Sequence, residues 1–245
     1  MAYFKKEEDI RPLFESQLEI CGVDYFDFYL MHAQSAEIFK HFKACRAYET
    51  AFELKKEGKI RHVGISFHDR AEVLDEILRE YPQIEVVQIQ LNYVDFDDPA
   101  VQSRKCYGVC RKHGKPVIVM EPVKGGNLVN LPKDAAAVLE SLHGGSPASY
   151  AIRFAAGFPG ILMVLSGMSD IKQMKDNISF MQNFQPLTDA EMEAVRKVQD
   201  IFRFMHRIAC TACRCCTDGC PQHLPIRELL EQVAAELKKK EEPET

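Results

Sequence analysis

The sequence predicts an α/β fold in which five parallel strands form part of a (β/α)8 TIM barrel, followed by a small helical C-terminal module. Short apolar segments alternate five times with amphipathic helical segments, which indicates parallel strand pairing through right-handed crossovers. Polar residues follow every predicted strand, and barrels build their sites from the carboxyl ends of their strands. The alternative is a doubly wound open sheet, but its G-x-G-x-x-G fingerprint follows none of these strands. The partial barrel is therefore favoured.

The predicted elements follow one another in a regular order. A first helix over 7–21 begins with acidic residues, which favour the positive end of the helix dipole, and it ends at Gly22. An aromatic and apolar strand over 25–31 comes next. Each remaining strand follows a helix, in the pairs 44–56 with 62–65, 70–80 with 86–91, 99–112 with 116–120, and a helix opening at Ser146–Pro147 with 161–165.

The last part of the sequence is predicted to be helical. Helices are expected over 169–181 and 189–205, and the second begins with a capping box formed by Thr188 and Glu191. Pro225 opens a final amphipathic helix. We expect two domains, a barrel domain over 1–205 and a cysteine-containing module over 206–245.

Composition narrows the possible partners. The 245 residues contain 36 acidic and 31 basic side chains, a net charge of −5, which argues against nucleic acid as a partner. Apolar runs are too short to span a membrane, and the N-terminus does not resemble a secretory signal. We therefore expect a cytoplasmic protein that does not interact with membranes.

The nine cysteines fall into two groups. Cys21, Cys45, Cys106 and Cys110 are scattered and are expected to be inert apolar residues. The other five include a C-x₂-C-x₂-C-x₃-C-P run at Cys210, Cys213, Cys216 and Cys220. This spacing is typical of bacterial [4Fe–4S] ligands, and it fits a structural zinc site poorly. Cys215 is left as a spare thiol or a substitute ligand, and the fourth ligand could be Cys220, Cys215 or a remote cysteine.

The residues that follow the predicted strands are candidates for a site. They are His32, Ser66 to His68, Asn92, Glu121 with Lys124 to Gly126, and Ser166 to Ser169. Barrels often bind phosphate after their last two strands, beside a helix N-terminus. Gly125, Gly126 and Gly167 stand where such a site is expected. Because five strands cannot close the barrel, we also expect open edges through which the chain could form an oligomer.

Five segments of the chain resemble, in unbroken order, the second part of the aldo-keto reductase barrel. They are 8–32 for strand four of that family, 59–66 for strand five, 87–93 for strand six, 119–126 for strand seven, and 165–177 for strand eight with its helix. The cysteine run resembles the ferredoxin-type extension of one branch of the family.

The resemblance implies an NAD(P)H-dependent oxidoreductase acting on a small carbonyl substrate. It implies that His32 is the catalytic histidine that hydrogen-bonds the carbonyl, while Ser66 and Gln88 hold the nicotinamide carboxamide. Met120 stands where many members stack an aromatic ring on the nicotinamide. Contacts to the pyrophosphate and the adenosine phosphate are implied for Gly167, Ser169, Gln173, Asp176 and Asn177. Many NADPH-using members carry an arginine at the position of Gln173, so the choice between NADH and NADPH stays open.

The resemblance also implies an incomplete catalytic set. The catalytic Asp, Tyr and Lys of the family precede strand four, and this chain offers no equivalent of them, so it is expected to be incomplete for catalysis on its own. The cluster would transfer electrons, with a redox protein as partner, or brace the structure. The alternative is a non-catalytic iron–sulfur protein that retains a relict half-barrel.

Overall fold

The computed structural model describes residues 4–204, 215–218, 220, 222 and 224–241. Its strands form one parallel sheet in which sequence order and spatial order coincide. The strands are β1 (Phe26–Gln34), β2 (Ile60–Phe67), β3 (Val86–Gln90), β4 (Val117–Met120) and β5 (Ile161–Val164). The five predicted strands and their parallel pairing are thus confirmed.

Helices precede, connect and follow the strands. They are α1 (Ile10–Cys21), α2 (Ala36–Ala44), α3 (Ala47–Lys56), α4 (Ala71–Glu80), α5 (Ser103–Lys112), α6 (Lys133–Glu140), α7 (Pro147–Ala156), α8 (Ile171–Met181), α9 (Asp189–Phe204), α10 (Cys215–Asp218) and α11 (Ile226–Glu241). Three of these helices, α2, α6 and α10, have no counterpart in the sequence-based prediction. The helix predicted over 99–112 begins later, at Ser103, because a turn precedes it.

The chain divides into two compact units. The first unit comprises residues 1–122 and 154–169 and contains the whole sheet, while the second comprises 123–153 and 170–245. The predicted domain boundary between 205 and 206 lies at the edge of a stretch outside the described residues, and it stays a prediction.

One face of the sheet in the first unit is covered by helices. Val63 and Ile65 of β2, Val87 of β3 and Val117 and Val119 of β4 are all fully buried on this face. Helix α3 packs on β2 and α5 packs on β3. This burial of branched aliphatic side chains supplies the main stabilisation of the unit.

On the opposite face of the sheet, β2 carries a glycine, Gly64, where a larger residue would clash with the neighbouring strands. Residues 64 and 66 face the same way as Leu30 of β1 and Val86 of β3, with which Gly64 is in register. A Cβ atom at Gly64 would lie 2.5 Å from side-chain atoms of both Leu30 and Val86. The absence of a side chain therefore allows three strands to approach one another below the candidate site.

Both edges of the described sheet are open. Strand β1 pairs only with β2, and β5 pairs only with β4, among the described strands. Phe28 on β1 and Leu162 and Met163 on β5 are between 38% and 48% exposed. Open edges with exposed apolar side chains are the feature that the five-strand count predicts.

In the second unit, α6 packs against α9. Ala135 and Leu139 of α6 are buried, as are Val195 and Val198 of α9. The predicted capping box begins α9, since the Glu191 amide donates to Thr188 Oγ1 at 3.3 Å and the Thr188 amide donates to the Glu191 carboxylate at 2.8 Å. Within the described ranges, no helix is both long and apolar enough to cross a bilayer.

Candidate active site at the carboxyl ends of the strands

His32 lies at an irregularity near the end of β1. The pairing of β1 with β2 shifts register between Met31 and Gln34, as in a β-bulge, which re-aims the residues it contains. Ala33 has a φ of 53°, a left-handed conformation that is uncommon for a residue with a Cβ atom. His32 is exposed at this bulge, whereas its neighbours Met31 and Gln34 are buried. The backbone thus directs the imidazole out of the packed sheet.

Ser66 joins the end of β2 to this bulge. Its Oγ accepts a hydrogen bond from the Ala33 amide at 2.8 Å, and its side chain is buried. Ser66 thus holds the β1 bulge from the neighbouring strand.

Gln88 and Met120 occupy the same face of the sheet. Gln88 of β3 is in register with Ser66 of β2 on one side and with Ile118 of β4 on the other. Met120, two residues beyond Ile118, faces the same way, and the Gln88 Nε2 lies 3.2 Å from the Met120 Sδ. Thioether sulfur is a weak acceptor, so the Gln88 amide can exchange this contact for a carbonyl oxygen at little cost.

The end of β4 resembles the end of β1 in its backbone. Glu121, which follows Met120, also has a left-handed φ, of 57°. The buried Asn92 donates to the Glu121 carbonyl at 3.1 Å and to the Asp95 carboxylate at 2.8 Å. Two non-glycine residues in left-handed conformations thus follow directly after His32 and Met120. Such conformations often occur at functional sites.

His68, after β2, is coupled to its neighbours electrostatically. Burial lowers the pKa of His68 from its usual value, and the nearby His32 lowers it further, while Glu121 opposes both effects. At neutral pH, the His68 imidazole therefore favours its neutral form. His32, His68 and Glu121 therefore share one polar region at the carboxyl edge of the sheet.

The candidate phosphate contacts fall in both units. Gly167 and Ser169 are exposed after β5 in the first unit. In the second unit, Asp170 caps α8 by accepting from the Gln173 amide at 2.8 Å. Gln173, Asp176 and Asn177 have the i, i+3, i+4 spacing that places them on one face of α8. The Asp176 carboxylate accepts from Ser146 Oγ at 2.6 Å.

The structure describes two of the four predicted cluster ligands. Cys216 is exposed in α10, and Cys220 is half-buried after it, with its amide donating to the Thr217 carbonyl at 3.2 Å. Cys210 and Cys213 lie outside the described residues. Within the described residues, no three His, Cys, Asp or Glu side chains are placed to hold a metal ion, which leaves the four-cysteine prediction untested.

Three of the four scattered cysteines are buried, in agreement with an inert role. Burial raises the pKa of Cys45 and Cys110, and it raises the pKa of Cys106 to about 12. A thiol that stays protonated is a poor nucleophile. Cys21 is exposed at the end of α1.

Several solved structures share this fold. An aldo-keto reductase from Bacillus halodurans in its holo form superposes with a TM-score of 0.61 at 24% identity, over 80% of this chain and 68% of that one. An aldo/keto reductase from Klebsiella pneumoniae, in complex with NADP and acetate, superposes with a TM-score of 0.61 at 18% identity, over 77% of this chain and 64% of that one.

Two curated reductases match about half of the chain. The NADH-specific methylglyoxal reductase of Escherichia coli is 31% identical over 121 residues, which are 49% of this chain and 35% of the relative. The glyoxal reductase of Bacillus subtilis is 29% identical over 117 residues, which are 48% of this chain and 38% of the relative. In each case the match spans well under half of the relative's length.

The sequence model of the Aldo/keto reductase family matches residues 2–200 of this chain. That range covers the whole parallel sheet and the candidate residues at the carboxyl ends of its strands. The chain therefore belongs to the aldo/keto reductase family.

Proposed function

We propose that this chain binds NAD(P)H at the carboxyl ends of its strands and contributes that site to the reduction of a small carbonyl compound. The observation that carries the proposal is the convergence of His32, Ser66, Gln88 and Met120 on one edge of a parallel sheet in a family of reductases. Bound NAD(P)H would supply the hydride.

The polar groups at this edge fit a nicotinamide carboxamide. We assign Ser66, whose hydroxyl accepts from the Ala33 amide at this edge, to the carboxamide, because a hydroxyl group can both donate and accept hydrogen bonds. Gln88 can turn its amide from Met120 Sδ towards the ligand. From the resemblance alone, we assign the pyrophosphate to Gly167 and Ser169, and the adenosine phosphate to Gln173, Asp176 and Asn177.

His32 is proposed to donate a hydrogen bond to the carbonyl oxygen of the substrate. Negative charge develops on this oxygen as the carbon accepts a hydride, and a donor aimed at the oxygen stabilises that charge. We propose that His32 acts here without counterparts of the family's catalytic Tyr, Lys and Asp, which the resemblance places ahead of strand four. Because a general acid contributes roughly 10²–10⁴ in rate, we expect slow reduction by this chain alone.

Turnover of NAD(P)H with a panel of carbonyl compounds tests this proposal. The panel includes methylglyoxal and glyoxal, since relatives of this chain are named for those substrates. We expect slow but measurable oxidation, reduced at least tenfold further in a His32→Gln variant. Reduction as fast in His32→Gln as in the unmodified chain would contradict the role of His32.

The choice of cofactor is a separate question. Lys172 is exposed at the start of α8, next to Gln173, and with Lys175 it is one of two lysines near the residues assigned to the adenosine phosphate. We expect Lys172→Gln to weaken NADPH binding several-fold while leaving NADH binding unchanged. Equal loss for both nucleotides, or no loss for either, would contradict a 2′-phosphate contact.

We further propose that Cys210, Cys213, Cys216 and Cys220 bind a [4Fe–4S] cluster, which transfers electrons to a redox protein or braces this part of the chain. The C-x₂-C-x₂-C-x₃-C-P spacing supports this cluster, as does the turn that returns the Cys220 amide to Thr217.

Iron, sulfide and zinc analysis after anaerobic purification tests the cluster. The adjacent residues Cys215 and Cys216 offer a matched pair of variants, because only Cys216 belongs to the spacing. Cys216→Ser should lose most of the bound iron, and Cys215→Ser should keep it. Stoichiometric zinc in place of iron would overturn the cluster. Bound iron without any nucleotide binding would favour the non-catalytic alternative.

We also propose that a second copy of the chain pairs with the open edge of the sheet. The outer edge of β1, which pairs with no other described strand, and the exposed Phe28 support this proposal. Sedimentation velocity should show dimers that Phe28→Lys dissociates. Ile20→Lys is the control, because Ile20 is 83% exposed on α1 and lies off the sheet. A strictly monomeric unmodified chain would contradict the proposal.

A further inference from the structure

The peptide bond that follows His32 is held at both of its polar ends by side chains. Its carbonyl, on His32, accepts a hydrogen bond from Gln34 Nε2 at 3.2 Å. Its N–H, on Ala33, donates to Ser66 Oγ at 2.8 Å. Because a peptide unit is planar, two hydrogen bonds at opposite ends fix the orientation of the whole unit. The orientation of this plane in turn sets the direction in which the His32 side chain leaves the backbone.

We propose that the buried Gln34–Tyr48 pair is a positioning device that aims the His32 imidazole. Gln34 ends β1 and is fully buried, and its Oε1 accepts a hydrogen bond from the Tyr48 hydroxyl at 2.7 Å. A side-chain amide has one accepting end and one donating end. Tyr48, by occupying the accepting end, directs Nε2 at the His32 carbonyl.

Tyr48 is itself fixed in place. It is fully buried in α3, and its ring stacks on the Tyr81 ring with 4.1 Å between centroids and 14° between planes. Burial raises the pKa of Tyr48 far above its usual value, so the hydroxyl keeps its proton and remains a donor. The chain of contacts therefore runs from a rigid helix, through one amide, to the backbone of His32.

The backbone at this point needs such support. A left-handed conformation is unfavourable for a residue with a Cβ atom, and Ala33 adopts it with no side-chain polar group to compensate. The two hydrogen bonds to the preceding peptide unit offset that cost. When they weaken, we expect the bulge to relax towards a regular strand and His32 to lose its orientation.

Two tyrosine variants separate positioning from simple packing. Tyr48→Phe removes the hydroxyl that orients Gln34 but keeps the stacked ring. Tyr81→Phe removes a hydroxyl from the other ring of the same stack, and this hydroxyl donates to Glu49 at 3.4 Å rather than to the bulge. The two variants lose the same atom from the same aromatic cluster, and only one of them touches Gln34.

The readout is the NMR signals of the His32 imidazole and the Ala33 amide, with His32→Gln used to assign the former. We expect Tyr48→Phe to shift both signals, while Tyr81→Phe leaves them in place. Gln34→Met, which keeps the side-chain length but removes both hydrogen bonds, should shift them further. Signals that move equally in the two tyrosine variants would overturn the proposal.

A catalytic role for the Gln34–Tyr48 pair rests on the proposed function, and a separate kinetic measurement tests that role. If reduction is detectable, Tyr48→Phe should lower kcat up to about tenfold, the equivalent of one hydrogen bond, and change the Kd for the nucleotide less than twofold. The NMR result does not depend on turnover. A selective His32 shift in a chain that reduces no carbonyl would therefore support the positioning device and count against the proposed reductase.

Discussion

At the scale of single residues, the candidate site depends on backbone conformations that composition does not reveal. The sequence identifies His32, Ser66, Gln88 and Met120 through their positions after strands and through the resemblance to a family. It gives no signal for the left-handed Ala33, because alanine rarely adopts that conformation. The roles of Gln34 and Tyr48 are not predictable from the sequence either, because they depend on side-chain hydrogen bonds. A buried glutamine at a strand end looks like an ordinary polar boundary until the hydrogen bonds are seen.

Gly64 provides a prediction at this scale. Gly64→Ala should destabilise the protein by roughly 1–3 kcal/mol, because the new Cβ would lie 2.5 Å from Leu30 and Val86 side-chain atoms and 2.7 Å from the Val86 carbonyl oxygen. Chemical denaturation measures this change.

The control for Gly64 is the same substitution in a helix. Gly108 lies inside α5, and a Cβ there would meet no atom within 4 Å. Gly108→Ala should stabilise the protein by about 0.5–1 kcal/mol through helix propensity. The account of the close strand approach fails if both substitutions change stability in the same direction.

At the scale of elements, the second unit contains a buried ion pair. Arg153 of α7 donates to both Glu191 oxygens at 2.7 and 2.9 Å and to the carbonyls of Gln185 and Pro186. The pKa of Glu191 is below its usual value, since burial raises it but the bonds from Arg153 and Thr188 lower it by more. Both side chains are nearly buried, at 11% and 13% exposed.

Breaking this pair should be costly. Arg153→Met leaves the Glu191 carboxylate buried without its partner, and we expect a loss of about 3–5 kcal/mol in the free energy of unfolding. Arg196→Met is the control on α9, where Arg196 and Glu193 are 62% and 56% exposed, and its loss should be below about 1 kcal/mol. Similar losses in the two variants would show that the buried pair has no special role.

The Asp75 carboxylate links α4 to the end of α5 through hydrogen bonds, and we expect its contribution to stability to depend on pH. Asp75 of α4 accepts from Lys112 at 2.8 Å and from His113 at 2.7 Å. These bonds lower the pKa of Asp75 from 3.8 to about 2, against a smaller effect of burial. Because the folded-state pKa is depressed, the stabilisation is present above about pH 4 and disappears as the pH falls towards 2.

The stability difference between the unmodified chain and Asp75→Asn isolates this contribution. It should be on the order of 1 kcal/mol near pH 5 and fall towards zero near pH 2. Glu76→Gln neutralises the exposed neighbouring carboxylate and should show no such trend. A difference that stays constant between pH 5 and pH 2 would contradict the ionic origin of the stabilisation.

Most elements were predictable because their signals are local. The alternation of helices with buried strands, the stop at Gly22 and the capping box of α9 are all confirmed. Helix α2 was missed, although Ser35 caps it by accepting from the Ile38 amide at 3.3 Å. Its apolar residues occupy fewer than three turns between a strand and another helix, so periodicity alone separates it poorly from a loop.

At the scale of the whole molecule, the sheet order follows from the sequence, whereas the two compact units do not. The first unit is assembled from residues 1–122 and 154–169, so segments distant in the chain meet in space. Long-range packing of this kind leaves no local pattern.

The central claim is that the carboxyl edge of the sheet binds NAD(P)H, and a nucleotide titration of the full chain tests it most directly. We predict saturable binding of NADPH or NADH, followed by nucleotide fluorescence, that weakens about tenfold in Gln88→Leu through loss of a ligand hydrogen bond. Gln88 is the appropriate site because it contacts Met120 rather than the β1 bulge. Absence of saturable binding, or equal affinity in Gln88→Leu with an unchanged melting temperature, would contradict the account.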